Sequence, residues 1–150
     1  VRYGGLVLHG DHVYAVREDH RGDGEPVNEL VRLDLHGDNA DGGVVLAAGS
    51  DFVSRPAVAP DGTAIAWIAW DHPNMPWDDT ELFVGHLHDA PGGLVLENVT
   101  HVAGHDESVM QPEWGRHDQL FVISDRTDWW NVMRVGSRDG LEPVWPVPAG

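Results

Sequence analysis

Ser54-Arg55-Pro56-Ala57-Val58-Ala59-Pro60-Asp61-Gly62, followed by Ala64-Ile65-Ala66-Trp67, lines up with Met110-Gln111-Pro112-Glu113-Trp114-Gly115-Arg116-His117-Asp118, followed by Leu120-Phe121-Val122-Ile123. Pro56 falls on Pro112 and Gly62 on Asp118, so a strand, turn, strand pattern recurs at a fixed offset. A degenerate earlier copy runs Gly10-Asp11-His12-Val13-Tyr14-Ala15-Val16. A second motif follows each copy: Asn28-Glu29-Leu30-Val31, Thr80-Glu81-Leu82-Phe83 and Trp130-Asn131-Val132-Met133. Repeats of roughly 40 to 50 residues, each holding several short strands, are the pattern of propeller blades.

Working outward, the first unit reads as strands near Val13–Arg17, Leu30–Leu35 and Val44–Ala47, with polar turns at His20–Pro26 and Gly37–Gly43. The second has a short inner strand near Pro56–Ala59, then Thr63–Trp70, Glu81–Leu87 and Leu94–Val99. The third has Gln111–Trp114, Gln119–Ser124, Asn131–Val135 and Glu142–Val144. Gly and Pro together number 28 and interrupt every window long enough for an amphipathic helix. The run Ala64–Trp70 is apolar without alternation, which predicts a strand buried on both faces between neighbouring sheets. The fold class is therefore all-β: about three four-stranded antiparallel propeller blades, spanning approximately residues 5–52, 53–108 and 109–150 of a partial propeller.

With 25 acidic and 9 basic side chains in 150 residues, the formal charge is −16, which argues against tracking a nucleic-acid backbone. Cysteine is absent, so disulfides, thiol catalysis and cysteine-held metals are excluded, and a cytoplasmic location is expected. No apolar run approaches the roughly 18 residues of a membrane helix, so no membrane partner is expected. The opening Val1-Arg2-Tyr3-Gly4-Gly5 has neither an initiator methionine nor a signal peptide, as expected of a segment from inside a longer gene product.

Two loops depart from the repeat. Asp71-His72-Pro73-Asn74-Met75-Pro76-Trp77-Asp78-Asp79 is too rich in proline for a sheet strand and too aromatic for a plain linker. Asp125-Arg126-Thr127-Asp128-Trp129-Trp130 occupies the equivalent place in the third unit.

At these residues the chain resembles the N-terminal β-propeller of prolyl-oligopeptidase-type serine peptidases, of the dipeptidyl-aminopeptidase and acylaminoacyl-peptidase-like branch. The resemblance runs through Val16-Arg17-Glu18-Asp19-His20, Gly24-Glu25-Pro26-Val27-Asn28-Glu29-Leu30 and Ala66-Trp67-Ile68-Ala69-Trp70-Asp71-His72-Pro73-Asn74-Met75-Pro76-Trp77-Asp78. It continues through Asp106-Glu107-Ser108-Val109-Met110-Gln111-Pro112-Glu113-Trp114 and Ser124-Asp125-Arg126-Thr127-Asp128-Trp129-Trp130-Asn131. It implies a propeller seated over an α/β-hydrolase domain, gating and positioning peptide substrates. Such a hydrolase needs a Gly-x-Ser-x-Gly elbow, and Ser50, Ser54, Ser108, Ser124 and Ser137 all lie in other contexts. No catalytic residue is assigned to this chain, and its partners are expected to be a hydrolase domain and further blades. Because closed propellers need about four to eight blades, three would leave two faces rich in Ala, Ile and Trp uncovered, and a homo-oligomer is the expected remedy. A propeller-like protein-interaction module without an enzyme is the competing reading.

Trp77, Asp78, Asp125, Arg126 and Trp130 are the candidates for a substrate passage, since loop aromatics suit peptide side chains and carboxylates suit a free amino terminus. Trp67, Trp70, Trp114 and Trp129 are expected to pack within the blades, while Trp77 and Trp130 stand open between packing and passage. Asp125-Arg126 is expected to form a turn with a local ion pair. His86 and His88 would share one face of a strand, with His101 and His105-Asp106-Glu107 possible neighbours. That spacing supplies no third ligand, and no metal or other cofactor is assigned. Asp38, Asp41, Asp61 and Asp78-Asp79 read as turn caps, because no Asp-x-Asp-x-Asp-Gly calcium loop is present.

Overall fold

The structure, a computed structural model, describes residues 1–91, 93–136 and 140–145. Ser137 and the last residues of the third unit lie outside them. Three antiparallel sheets follow one another along the chain. Sheet 1 holds β1 (Arg2–His9), β2 (His12–Asp19), β3 (Val27–Asp34) and β4 (Val44–Ala48) in that order. Sheet 2 holds β5 (Phe52–Val53), β7 (Ala64–Trp70), β8 (Glu81–Ala90) and β9 (Gly93–Gly104), with β6 (Ala57–Val58) also paired to β7. Sheet 3 holds β10 (Val109–Trp114), β11 (Leu120–Ser124), β12 (Asn131–Val135) and β13 (Leu141–Pro143).

The apolar run of β7 lies between two sheets, as its lack of alternation predicts. Ile65, Trp67 and Ala69 pack with Tyr14 and Leu30 of sheet 1. Ala66 and Ile68, from the opposite face, join Leu82 and Ala103 against Val109, Leu120, Val122 and Met133 of sheet 3. Strand period two thus splits one sequence run into two cores.

The pairing also corrects the repeat alignment. Val58 pairs with Ile65, whereas Trp114 pairs with Leu120, so the hairpin of the third unit is one residue shorter. Leu120 and Val122 are the counterparts of Ile65 and Trp67, and the direct match of Ala64–Trp67 to Leu120–Ile123 is out by one. In the second unit the turn is closed by Pro60-Asp61-Gly62: Asp61 Oδ1 accepts the Thr63 N–H (2.9 Å), and Gly62 sits at φ +76°. In the third unit a short 3₁₀ turn at Arg116–Asp118 does this work, with His117 and Asp118 at positive φ.

Strand β1 has no counterpart in the sequence reading. Its Gly4-Gly5 looks like a turn, but the structure uses it as an irregularity within the strand, where the register against β2 shifts between Gly4 and Val7. Of the two bare faces expected, that of sheet 1 is corrected. On sheet 1 the outward Ala15 and Val31 are fully buried, and the turn at Asn39–Gly43 folds across the neighbouring Arg17, whose Nη1 donates to the Asp41 carbonyl at 2.7 Å. On sheet 3 the outward residues are Phe121, Ile123 and the 52% exposed Val132.

Candidate functional site

The two irregular loops join second to third strands, β7 to β8 and β11 to β12, so they emerge at the same end of neighbouring sheets. A short segment between β9 and β10 ties them together. Gly104 ends β9 at φ +104°, where a Cβ would stand 2.0 Å from the Thr80 carbonyl, so only glycine lets the chain pass this close. Glu107 then turns inward with its side chain 5% exposed.

The Glu107 carboxylate accepts the Gly104 N–H (3.2 Å), the Ser124 hydroxyl, and Arg126 through Nε (2.9 Å) and Nη2 (2.5 Å). Burial opposes ionisation here, but the hydrogen bonds from Arg126 and Ser124 and the guanidinium charge outweigh it and hold the carboxyl below its ordinary pKa. The same contact pushes the Arg126 pKa up against the effect of burial. The local ion pair expected within Asp125-Arg126 is therefore replaced by one reaching back 19 residues. Asp125 instead accepts the Ser108 N–H at 2.7 Å and closes its own turn through the Asp128 N–H.

Ser108 completes the tie. Its hydroxyl donates to the Pro76 carbonyl (2.5 Å), which fixes the first aromatic loop to the segment that holds the second. Thr80 Oγ1 donates to the Val109 carbonyl and accepts the Val109 N–H, each at 2.7 Å. Glu107, Ser108 and Ser124 were not singled out by sequence reasoning as a clamp. Glu107 enters the sequence reading only as a possible neighbour of the His86 and His88 pair, and the remaining signal is that each of the three lies in a motif carrying the family resemblance.

On this clamped end Trp77 is 61% exposed and Trp130 48% exposed, while Asp78 accepts the Met75 N–H at 3.0 Å and so shapes its own loop. The clamp brings Asp125 and Arg126 into one network, but their polar groups are spent on Ser108 and Glu107. Trp67 is buried and Trp114 donates its indole N–H to the Ala57 carbonyl at 3.0 Å, both as packing residues should. Trp129 is the exception: it is 63% exposed and joins Trp77 and Trp130 as a surface aromatic.

The histidines are dispersed. His86 and His88 are exposed on β8, and His88 faces Glu97 at 3.5 Å while His101 faces Glu81 at 3.8 Å. Among the described residues no group of three or more His, Asp or Glu is arranged to hold a metal ion. Of the acidic turn candidates, Asp61 caps its turn as expected, and Asp41 presents its backbone carbonyl to Arg17. No helix of the described residues is long and apolar enough to cross a membrane.

No protein-family description and no curated protein matches the chain. Solved structures do. A puromycin-hydrolyzing peptidase of Mycobacterium tuberculosis is 32% identical over 97% of this chain and 24% of its own, with a TM-score of 0.81. A puromycin hydrolase is 29% identical over 97% of this chain and 23% of its own, also with a TM-score of 0.81. This chain thus spans about a quarter of the length of those enzymes. In sequence and in fold the chain belongs with the β-propeller segment of the prolyl-oligopeptidase-type peptidases.

Proposed function

We propose that the three sheets are consecutive propeller blades that admit short peptides to, and position them over, an α/β-hydrolase domain carried elsewhere in a longer polypeptide. The observation that carries this reading is the Glu107–Ser108 clamp, which gathers two loops with exposed tryptophans at one end of the sheets. Aromatic rings held on fixed loops offer contact area at small entropic cost, a suitable lining for a route taken by peptide side chains. Trp77, Asp78 and Trp130 would line that route, with Trp129 added, and Asp125 and Arg126 would hold its wall. The chain supplies no nucleophile elbow, so hydrolysis falls to the partner domain. Cysteine-free composition suits the cytoplasm.

Further blades would cover the outer face of sheet 3. Leu30 and Leu82 at the equivalent position are fully buried by the following sheet, whereas Val132 is 52% exposed. The same bare face is the observation that favours the competing reading, a module that binds a protein partner or a second copy of itself.

The test is to assay the full-length polypeptide on short aminoacyl and peptidyl amides and on a folded protein. Cleavage of the short substrates alone, with folded protein admitted after residues 71–79 are shortened, is the expected result. Hydrolysis that is absent, or indifferent to that deletion, would remove the gating reading. Sedimentation of the chain over a concentration series tests self-association through sheet 3.

A further inference from the structure

Ser54-Arg55 and Met110-Gln111-Pro112, from the two proline motifs that reveal the repeat, line one cleft of about 460 Å³ between sheets 2 and 3. Each interrupts its strand. Arg55 and Pro56 separate β5 from β6, and the register of β10 against β11 shifts between Met110 and Glu113. Proline has no N–H for the ladder, so main-chain pairing lapses here on both walls. Gln111, at that register shift, is held at φ +54°, a conformation that glutamine rarely adopts outside bulges and turns.

The cleft wall includes Trp70, whose ring is stacked on Phe52 at 5.3 Å and 18°, while Phe52 meets the edge of His72 at 4.9 Å. That stack holds the indole in place. Met110 adds a polarisable thioether, which favours aromatic neighbours. At the rim Arg55 Nη1 donates to Glu113 Oε1 at 2.9 Å. On a chain of formal charge −16 this is a charge-balanced spot that offers both a donor and an acceptor, the complement of an uncharged amide.

We propose that this cleft binds the aromatic side chain of a peptide-like ligand, with its ring against Trp70 and Met110 and its amide at the Arg55–Glu113 rim. The proposal rests on the peptide-handling reading above and names the class of side chain that reading leaves open. The cleft volume lies within the roughly 300–1,000 Å³ of small-ligand sites.

The experiment is a nuclear magnetic resonance titration of the isotope-labelled chain with N-acetylphenylalaninamide, N-acetylleucinamide and benzyl alcohol, following the seven tryptophan indole N–H signals. The phenylalanine amide should move the Trp70 signal and bind about 2- to 10-fold more tightly than the leucine amide. Arg55→Ala, an exposed change, should weaken that binding while leaving the signals of Trp67 and Trp114 in place. Shifts confined to Trp77, Trp129 or Trp130 would overturn the cleft and leave the peptide reading standing. Silence of every indole, or equal affinity for the leucine amide, would also overturn it. Benzyl alcohol binding at Trp70 as tightly as the amide would remove the peptide-like ligand from this site and keep only an arene pocket.

Discussion

Arg126 Nη2 lies 2.5 Å from Glu107 Oε1, although the two residues stand 19 apart in sequence and belong to different loops. Glu107→Gln retains the shape and removes the charge from a carboxylate that receives four hydrogen bonds. It should destabilise the chain by about 2 kcal/mol at neutral pH, read from the urea midpoint. A change below the error of the extrapolation would mean that the clamp is ornamental to stability.

The same carboxyl makes stability depend on acid. Its folded pKa is depressed below the ordinary 4.5, so its contribution is complete above that value and is lost as pH falls through the folded pKa. Wild-type protein should lose stability relative to Glu107→Gln as pH drops below about 4.5, and the two should be parallel between pH 6 and 8. Denaturation midpoints across that range decide it.

Gly104→Ala should be among the most damaging single changes. The new methyl would meet the Thr80 carbonyl at 2.0 Å on a backbone at φ +104°. Gly10→Ala is the control, since its φ is +55° but nothing lies within 4 Å. A loss of about 1 kcal/mol is expected at Gly10 from backbone strain alone, and several-fold more at Gly104, by thermal or chemical unfolding.

Leu82 and Val132 occupy equivalent places on β8 and β12, and their environments differ completely. Leu82→Ala should cost about 2–5 kcal/mol. Val132→Ala, at 52% exposure, should cost under about 1 kcal/mol in the isolated chain. If the Val132 change is as costly as the Leu82 change, the outer face of sheet 3 is covered in solution.

Trp77→Ala and Trp130→Ala should each leave the unfolding midpoint within about 0.5 kcal/mol of wild type, because both rings are exposed. In the full-length polypeptide they should raise KM for peptide amides and spare kcat, the mark of lost ground-state binding. Unchanged KM would exclude both residues from the route.

Much of the architecture was legible because it rests on local chemistry. The unbroken apolar run of β7 and the Pro-Asp-Gly turn each state their structure within a few residues. What escaped was either irregular or long-range. Strand β1 hides behind Gly4-Gly5, where a register shift looks like a turn in sequence. A hairpin shorter by one residue shifts the third unit's second strand without leaving a gap that pattern matching would detect. The Arg126–Glu107 pair has no local signature, since Asp125 beside Arg126 offers a nearer carboxylate that the fold assigns to the Ser108 backbone. Trp129 was misjudged because a repeat position alone does not say whether a ring faces a neighbouring sheet or the solvent.

Sheet 2 contributes to both apolar cores, whereas sheets 1 and 3 contribute to one each. The stack therefore behaves as a chain of nearest-neighbour couplings with a single shared link. An outer sheet can open sub-globally and leave one interface standing, but opening of sheet 2 dissolves both at once. Amides of β7 and β8 should accordingly exchange with solvent only through complete unfolding, ahead in protection of β2 and β11. Trp67 at one interface and Trp114 at the other provide separate optical reporters of which end releases first.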